Sequence, residues 1–252
     1  MTTLFDCALK GILLSSLNER ICVLDIREDA PKLRTTALSL HPEGQHLLRQ
    51  VRESLTLHVD FALHEEDPIL RCKAMQTIHA WAVKGGMLTI TSRAGQRLPV
   101  ICADLPSLSG EDWTEKCTLT FQSTRVPYWE DANATTAAGS EVLTLNVPGT
   151  VETVPVDVLV INNTDETINR LTVRAGSTQM VFEGLVFEPG SMFLLIQSDG
   201  PLLAQIDGDS VLHCRTANSA DQLLAPCGKN CTAYASASAP LQASFTVRGR
   251  YA

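Results

Sequence analysis

The segment Ser54–Leu63 alternates without a break: Leu55, Leu57, Val59, Phe61 and Leu63 share one face, and Ser54, Thr56, His58, Asp60 and Ala62 share the other. That period of two predicts a half-buried β-strand. Shorter strands are predicted at Arg20–Arg27, around Ile21, Val23 and Leu24, and at Met87–Thr91, Arg97–Ala103 and Lys116–Ser123. In the last of these, Cys117, Leu119 and Phe121 face one way. Between Pro68 and Lys84 the period changes. Leu70, Ala74, Ile78 and Trp81 recur at helical spacing, Met75 and Ala82 widen the stripe, and Lys73, Gln76, Thr77 and Lys84 fall opposite. Asp67 supplies an N-cap, Pro68 suits the first helical position, and Gly85-Gly86 supplies a left-handed stop. One helix, about 68–84, therefore sits among strands.

Two stretches of the first half lack such periodicity. Leu38–Arg52 starts with turn chemistry, His41-Pro42-Glu43-Gly44, and is expected to form a long excursion from a sheet, of the kind that often carries function. It ends in Leu47, Leu48, Arg49 and Arg52. These residues suit either the solvated shoulder of the next strand or a contact surface, since apolar anchors beside guanidinium groups are enriched where proteins meet. The second stretch follows the strand at Lys116–Ser123. Pro127 removes a ladder donor and ends pairing, and Tyr128 and Trp129 follow as large anchors in a chain that is only 5% aromatic. Trp81, Trp113 and Phe121 are assigned to the core of this half. Residues 132–140, rich in Ala, Asn, Thr, Gly and Ser, are expected to be a linker. The expected organisation is a first domain 1–131, the linker 132–140 and a second domain 141–252.

The second half shows no helical period. Strands are predicted at Val142–Val147, Val151–Ile161, Leu171–Arg174, Gln179–Phe187, Met192–Gln197, Leu202–Ile206 and Leu241–Tyr251. Turn signals such as Pro148-Gly149, Asn162-Asn163, Pro189-Gly190 and Asp207-Gly208 divide them. Short strands at this spacing predict a β-sandwich.

Bulk properties narrow the function classes. A chain of 252 residues with 44% hydrophobic and 19% charged residues is ordinary for a globular protein. A net charge of −8 argues against a general grip on nucleic acid through phosphate neutralisation, although it suits the wall of a pore through which DNA passes. No run is long and apolar enough to cross a bilayer, and Gly11-Ile12-Leu13-Leu14 is too short for a signal-peptide core, so membrane insertion is not expected. The eight cysteines are scattered without a repeated spacing and suit reduced core thiols.

Catalytic and metal signatures are weak. Five of the six histidines lie in the first third without a ligand pair. Cys227 and Cys231 are separated by three residues rather than two. Gly-x-Ser-x-Gly and a phosphate-cradling glycine loop are both missing. The sequence makes no positive case for an enzyme, a cofactor or a metal. A carbohydrate-binding module remains the alternative for the second half. It would need exposed aromatics on one sheet, and residues 141–252 offer no Trp and only Phe182, Phe187, Phe193, Phe245, Tyr234 and Tyr251.

In order along the chain, Gly11–Leu17, Asp25–Pro31, Gly44–Leu63, Arg71–Ala82, Gly85-Gly86, Arg93–Leu98 and Trp113–Glu130 resemble the distal tail (Dit) proteins of long-tailed, siphovirus-type phages and prophages of Gram-positive bacteria. More loosely, Pro226–Asn230 and the closing Arg250-Tyr251 match as well, though Cys227 and Cys231 depart from the family's usual turn. The resemblance implies a split-barrel or β-sandwich first domain with one helix, then a galectin-like β-sandwich. It further implies a virion structural protein that is not a catalyst, assembled in the bacterial cytoplasm into a homo-hexameric ring at the tail tip. Its partners would be the tail tube protein, the tail-associated hub or lysin, and a receptor-binding protein.

Overall fold

Thr56–His64 pairs antiparallel with Ile21–Glu28 on one side and Thr114–Ser123 on the other, so its apolar face lies deep inside a sheet. The computed structural model describes residues 5–39, 45–106, 114–198, 200–228, 230–238 and 241–252, without the side chains of 38–39, 45–50 and 114–115. The chain divides into two compact units, Met1–Trp129 and Glu130–Ala252. As the sequence predicts, it is mainly β with one α-helix among the described residues.

In the first unit, neighbouring strands run in the order Ile12–Leu13, Cys7–Leu9, Gly86–Ile90, Gln96–Asp104, Thr114–Ser123, Thr56–His64 and Ile21–Glu28. The five predicted inward residues, Leu55, Leu57, Val59, Phe61 and Leu63, are all buried. The helix Pro68–Ala82 begins where Asp67 accepts a hydrogen bond from the Ile69 N–H at 2.8 Å. Past its end, Gly85 and Gly86 adopt φ of +52° and +125°. At Gly85 a Cβ would lie 2.9 Å from the Val100 carbonyl oxygen, so the turn needs glycine for space as well as for conformation. Ala74, Met75, Ile78, Trp81 and Ala82 are buried on the helix. Trp81 meets Phe121 edge-on with centroids 6.1 Å apart, and its indole N–H donates to the Ile12 carbonyl at 3.1 Å. Leu70 corrects the predicted stripe: it is 48% exposed, while Arg71 is buried. Ile69, 67% exposed, also faces away from the core, so the apolar period of the first turn does not mark the packed face.

The predicted excursion Leu38–Arg52 is also corrected. Leu33–Ser39 and Gln45–Arg52 form an antiparallel two-stranded ribbon that pairs with no other strand among the described residues. Residues 33–37 are exposed, so over those residues the ribbon has no buried side to impose a period of two on its sequence.

In the second unit, a seven-stranded sheet runs Thr135–Gly139, Gln242–Val247, Thr153–Ile161, Met192–Ile196, Leu203–Ile206, Asp209–Ser210, with Leu224–Pro226 also pairing to Thr153–Ile161. A four-stranded sheet runs Leu143–Asn146, Asn230–Ser236, Ile168–Ala175, Thr178–Phe187. Val156, Val158, Val160, Leu195 and Phe245 of the first sheet share one core with Leu171, Val173, Ala233 and Phe187 of the second. Phe182 and Phe193 meet between them at 5.1 Å. This is the β-sandwich expected from the strand spacing.

Two predicted segments of this unit differ from observation. The expected linker 132–140 contains the strand Thr135–Gly139, in register with Val247 through Ala243. Its small residues pair through the backbone and show no hydrophobic period. The predicted strand Leu241–Tyr251 is broken into Gln242–Val247 and Arg250–Tyr251. Gly249 lies at the break, where a Cβ would come within 2.7 Å of the Pro148 carbonyl oxygen.

Candidate assembly surface

The root of the exposed ribbon gathers three cations on a shaped surface. There the Glu53 N–H donates to the Lys32 carbonyl at 2.8 Å, which closes the base of the ribbon. A cavity of about 500 Å³ opens beside it, lined by Lys32, Arg34, Arg52, Glu53, Ser54 and Gln122 among others. Three cations against one carboxylate make a local positive excess in a chain of net charge −8. The Arg52 guanidinium carbon lies 5.1 Å from the centre of the Tyr128 ring, a cation–π contact that orients the side chain. Its Nε is buried without a hydrogen-bond partner. Leu33 and Val51, at 58% and 39% exposure, add apolar area to the same ribbon. Guanidinium groups beside exposed aliphatics can receive carboxylates and apolar side chains of another protein.

Next in the chain to Tyr128, Trp129 is fully buried, and its indole N–H donates to Glu28 Oε2 at 3.0 Å. Arg93 Nη2 reaches the same oxygen at 3.0 Å, while its guanidinium stands 5.1 Å from the Trp129 ring centre. One carboxylate oxygen therefore ties the aromatic to the cation that covers it. Tyr128 and Pro127 are half-buried. Arg27 Nη2 bonds the buried Asp60 at 3.0 Å, and Asp60 also accepts from the Thr118 hydroxyl at 2.6 Å. These groups hold adjacent strands in register.

The sequence-predicted residues separate clearly. Arg52 and Tyr128 come together, and Trp129 anchors the segment beside them. Leu47, Leu48 and Arg49 lie on the ribbon strand Gln45–Arg52, with Leu47 opposite Ala37 and Arg49 opposite Thr36; their side chains fall outside those described. Trp113 lies outside the described residues. Trp81 and Phe121 belong to the sheet–helix core. Sequence reasoning missed Lys32 and Arg34, because only the pairing of the ribbon strands brings them beside Arg52.

The cysteines contribute no reactive cluster. None of the eight forms a disulfide, and burial pushes the Cys7 thiol far up, with the Asp6 carboxylate adding to the shift. Burial also raises Cys102, Cys227 and Cys231. Among the described residues no group of three or more His, Cys, Asp and Glu could hold a metal ion. No described helix is long and apolar enough to cross a membrane.

No protein-family model and no curated protein matches the sequence. The fold does match solved structures. The chain is similar to SPP1 Dit (gp 19.1), described as a paradigm of hub adsorption apparatus in Gram-positive infecting phages, with a TM-score of 0.74 over 97% of this chain and 98% of that one, at 12% identity. It is also similar to a chain of the phage p2 baseplate in its activated conformation, with a TM-score of 0.52 at 8% identity and 97% of each chain covered. At these identities the likeness establishes a Dit-like fold.

Proposed function

We propose that this chain is a structural protein of a phage tail tip, with an assembling rather than a catalytic role. The observation that carries the reading is the likeness to SPP1 Dit across nearly the whole of both chains. In this reading the first unit builds a homo-hexameric ring. The ring joins the tail tube to the tail-associated hub or lysin, and a receptor-binding protein attaches to the same apparatus. The exposed ribbon is the contact arm, with Arg52, Leu47, Leu48 and Arg49 meeting a neighbouring subunit or the tail tube. The acidic chain leaves DNA free to pass through the ring without sequence-specific binding. The protein resides in the virion after assembly in the host cytoplasm.

Negative-stain imaging and mass photometry of purified protein test this reading. Rings are expected, with a mass six times that of the 27.4 kDa chain. If the free protein is a monomer, isolated tails labelled at this chain decide the matter. A non-ring arrangement at the tail tip, or absence of the chain from the virion, refutes the proposal.

A further inference from the structure

A sugar-binding face needs an aromatic ring at the surface, and the second unit has six Phe and Tyr residues to supply one. Phe182, Phe187, Phe193 and Phe245 are all completely buried in the core. Tyr251 is committed elsewhere: its hydroxyl donates to Asp131 at 3.0 Å. That leaves Tyr234. It lies on Asn230–Ser236, a central strand of the four-stranded sheet, between the buried Ala233 and Ala235. The alternation places its half-buried ring on the outer face, opposite Arg174.

Two cavities meet at the end of this strand. One, about 340 Å³, lies beside Tyr234, Glu141 and Val142, the last 64% exposed. The other, about 440 Å³, lies beside Asn169, Arg170 and Thr172. Both are lined by Ser236, Ala237 and Ser238, so they abut along that segment. Each is within the size range of small-molecule sites. The Tyr234, Ser236 and Thr172 hydroxyls and the Asn169 amide make no side-chain hydrogen bond among the described residues, so they remain free to serve a ligand. The charges near the groove balance: Arg170 pairs with Glu183 at 3.4 Å, Glu141 is the remaining lining charge, and Arg174 stands opposite Tyr234 on the neighbouring strand.

From this arrangement we infer that the paired cavities around Tyr234 bind a neutral oligosaccharide. A ring and an exposed valine face the apolar side of a pyranose. The Glu141 carboxylate can accept from two hydroxyls, while the Asn169 amide both donates and accepts. Such a mixture of flat apolar surface and unpaired hydrogen-bonding groups matches a polyol. A phosphate-bearing polymer would need an uncompensated cation in the groove lining, and the one lining cation, Arg170, is paired with Glu183, while Arg174 beside the ring donates to the Gly176 carbonyl at 3.1 Å. The two abutting cavities call for more than one sugar ring.

The test uses the full chain on an array of neutral and phosphate-bearing bacterial-surface oligosaccharides, followed by titration of the free oligosaccharide under NMR. A neutral oligosaccharide is expected to bind. Tyr234→Ala should weaken it by about tenfold or more, and Tyr234→Phe should retain most of the affinity because the ring is kept. Glu141→Gln is also expected to weaken it, and it carries the test if Tyr234→Ala lowers the melting temperature enough to confuse the reading. Binding to no glycan, binding only to phosphate-bearing glycans, or binding unchanged in Tyr234→Ala and Glu141→Gln overturns the inference. Loss of tail assembly in these variants without any glycan bound would assign the groove to a protein partner and overturn it equally. Ring formation is read separately, so this result is independent of the assembly proposal.

Discussion

Trp129 offers the sharpest test of the packing described here. Trp129→Phe keeps an aromatic ring in a fully buried site but deletes the N–H that donates to Glu28 at 3.0 Å. A hydrogen bond to a charged acceptor contributes about 1.5–3 kcal/mol. The Glu28 side chain is 25% exposed and keeps Arg93 at 3.0 Å, so the freed oxygen is not stranded. The expected cost therefore falls around or just under the bottom of that range, about 1–2 kcal/mol. Trp129→Ala also empties the site and should cost about 3–5 kcal/mol. For a unit of this size each kcal/mol lowers the melting temperature by about 3–4 °C. Thermal unfolding followed by calorimetry should therefore show Trp129→Phe lower by about 3–8 °C. Combining it with Arg93→Ala should reveal a coupling of about 0.5–1 kcal/mol, because the cation loses part of its ring partner. A Trp129→Phe protein that melts within about 1 °C of the parent would refute the role given to the Glu28 hydrogen bond.

Further outcomes follow from other sites. Gly149→Ala places a Cβ against the Arg250 carbonyl oxygen at a φ of +126°, so urea unfolding should show a loss of at least about 1–3 kcal/mol; a neutral effect would show that the backbone there yields easily. In the native protein, iodoacetamide at pH 8 should modify the exposed Cys72 and spare Cys7, whose burial and raised pKa withhold the thiolate; mass spectrometry of labelled peptides reads the difference, and equal labelling would contradict the packing. On the assembly reading, Leu47→Ser with Leu48→Ser should leave the far-ultraviolet spectrum and melting temperature of the chain intact while abolishing rings or finished tails. Unimpaired assembly would make the ribbon a bystander.

Strong periodicity was legible and weak periodicity was not. Leu55 to Leu63 announced their strand because one face is dry along its whole length. Asp67-Pro68 and Gly85-Gly86 announced the helix because caps act locally and need no tertiary context. The ribbon escaped notice because Leu-Arg-Thr-Thr-Ala on residues 33–37 is exposed throughout, and its pairing rests on backbone hydrogen bonds that any residue supplies. Thr135–Gly139 escaped for a similar reason: Ala137, Ala138 and Gly139 resemble a spacer. Of the assembly surface, Arg52 and Tyr128 could be nominated separately, but their contact joins residues far apart in the chain. The special position of Tyr234 was invisible until the burial of four phenylalanines removed the competing aromatics.

The pairing of Thr135–Gly139 with Gln242–Val247 has a practical consequence for anyone who cuts this chain in two. A fragment begun at Glu141, where the composition suggests a boundary, would strip the outermost strand from its sheet. Gln242–Val247 would then present a bare row of amides and carbonyls to solvent, the arrangement that recruits foreign strands and drives aggregation. It would also lose Glu130 and Asp131, which hold Arg250 and Tyr251 at 3.0 Å each. A fragment begun at Glu130 keeps both the strand and the two carboxylates, and is the one to express when the second unit is wanted alone.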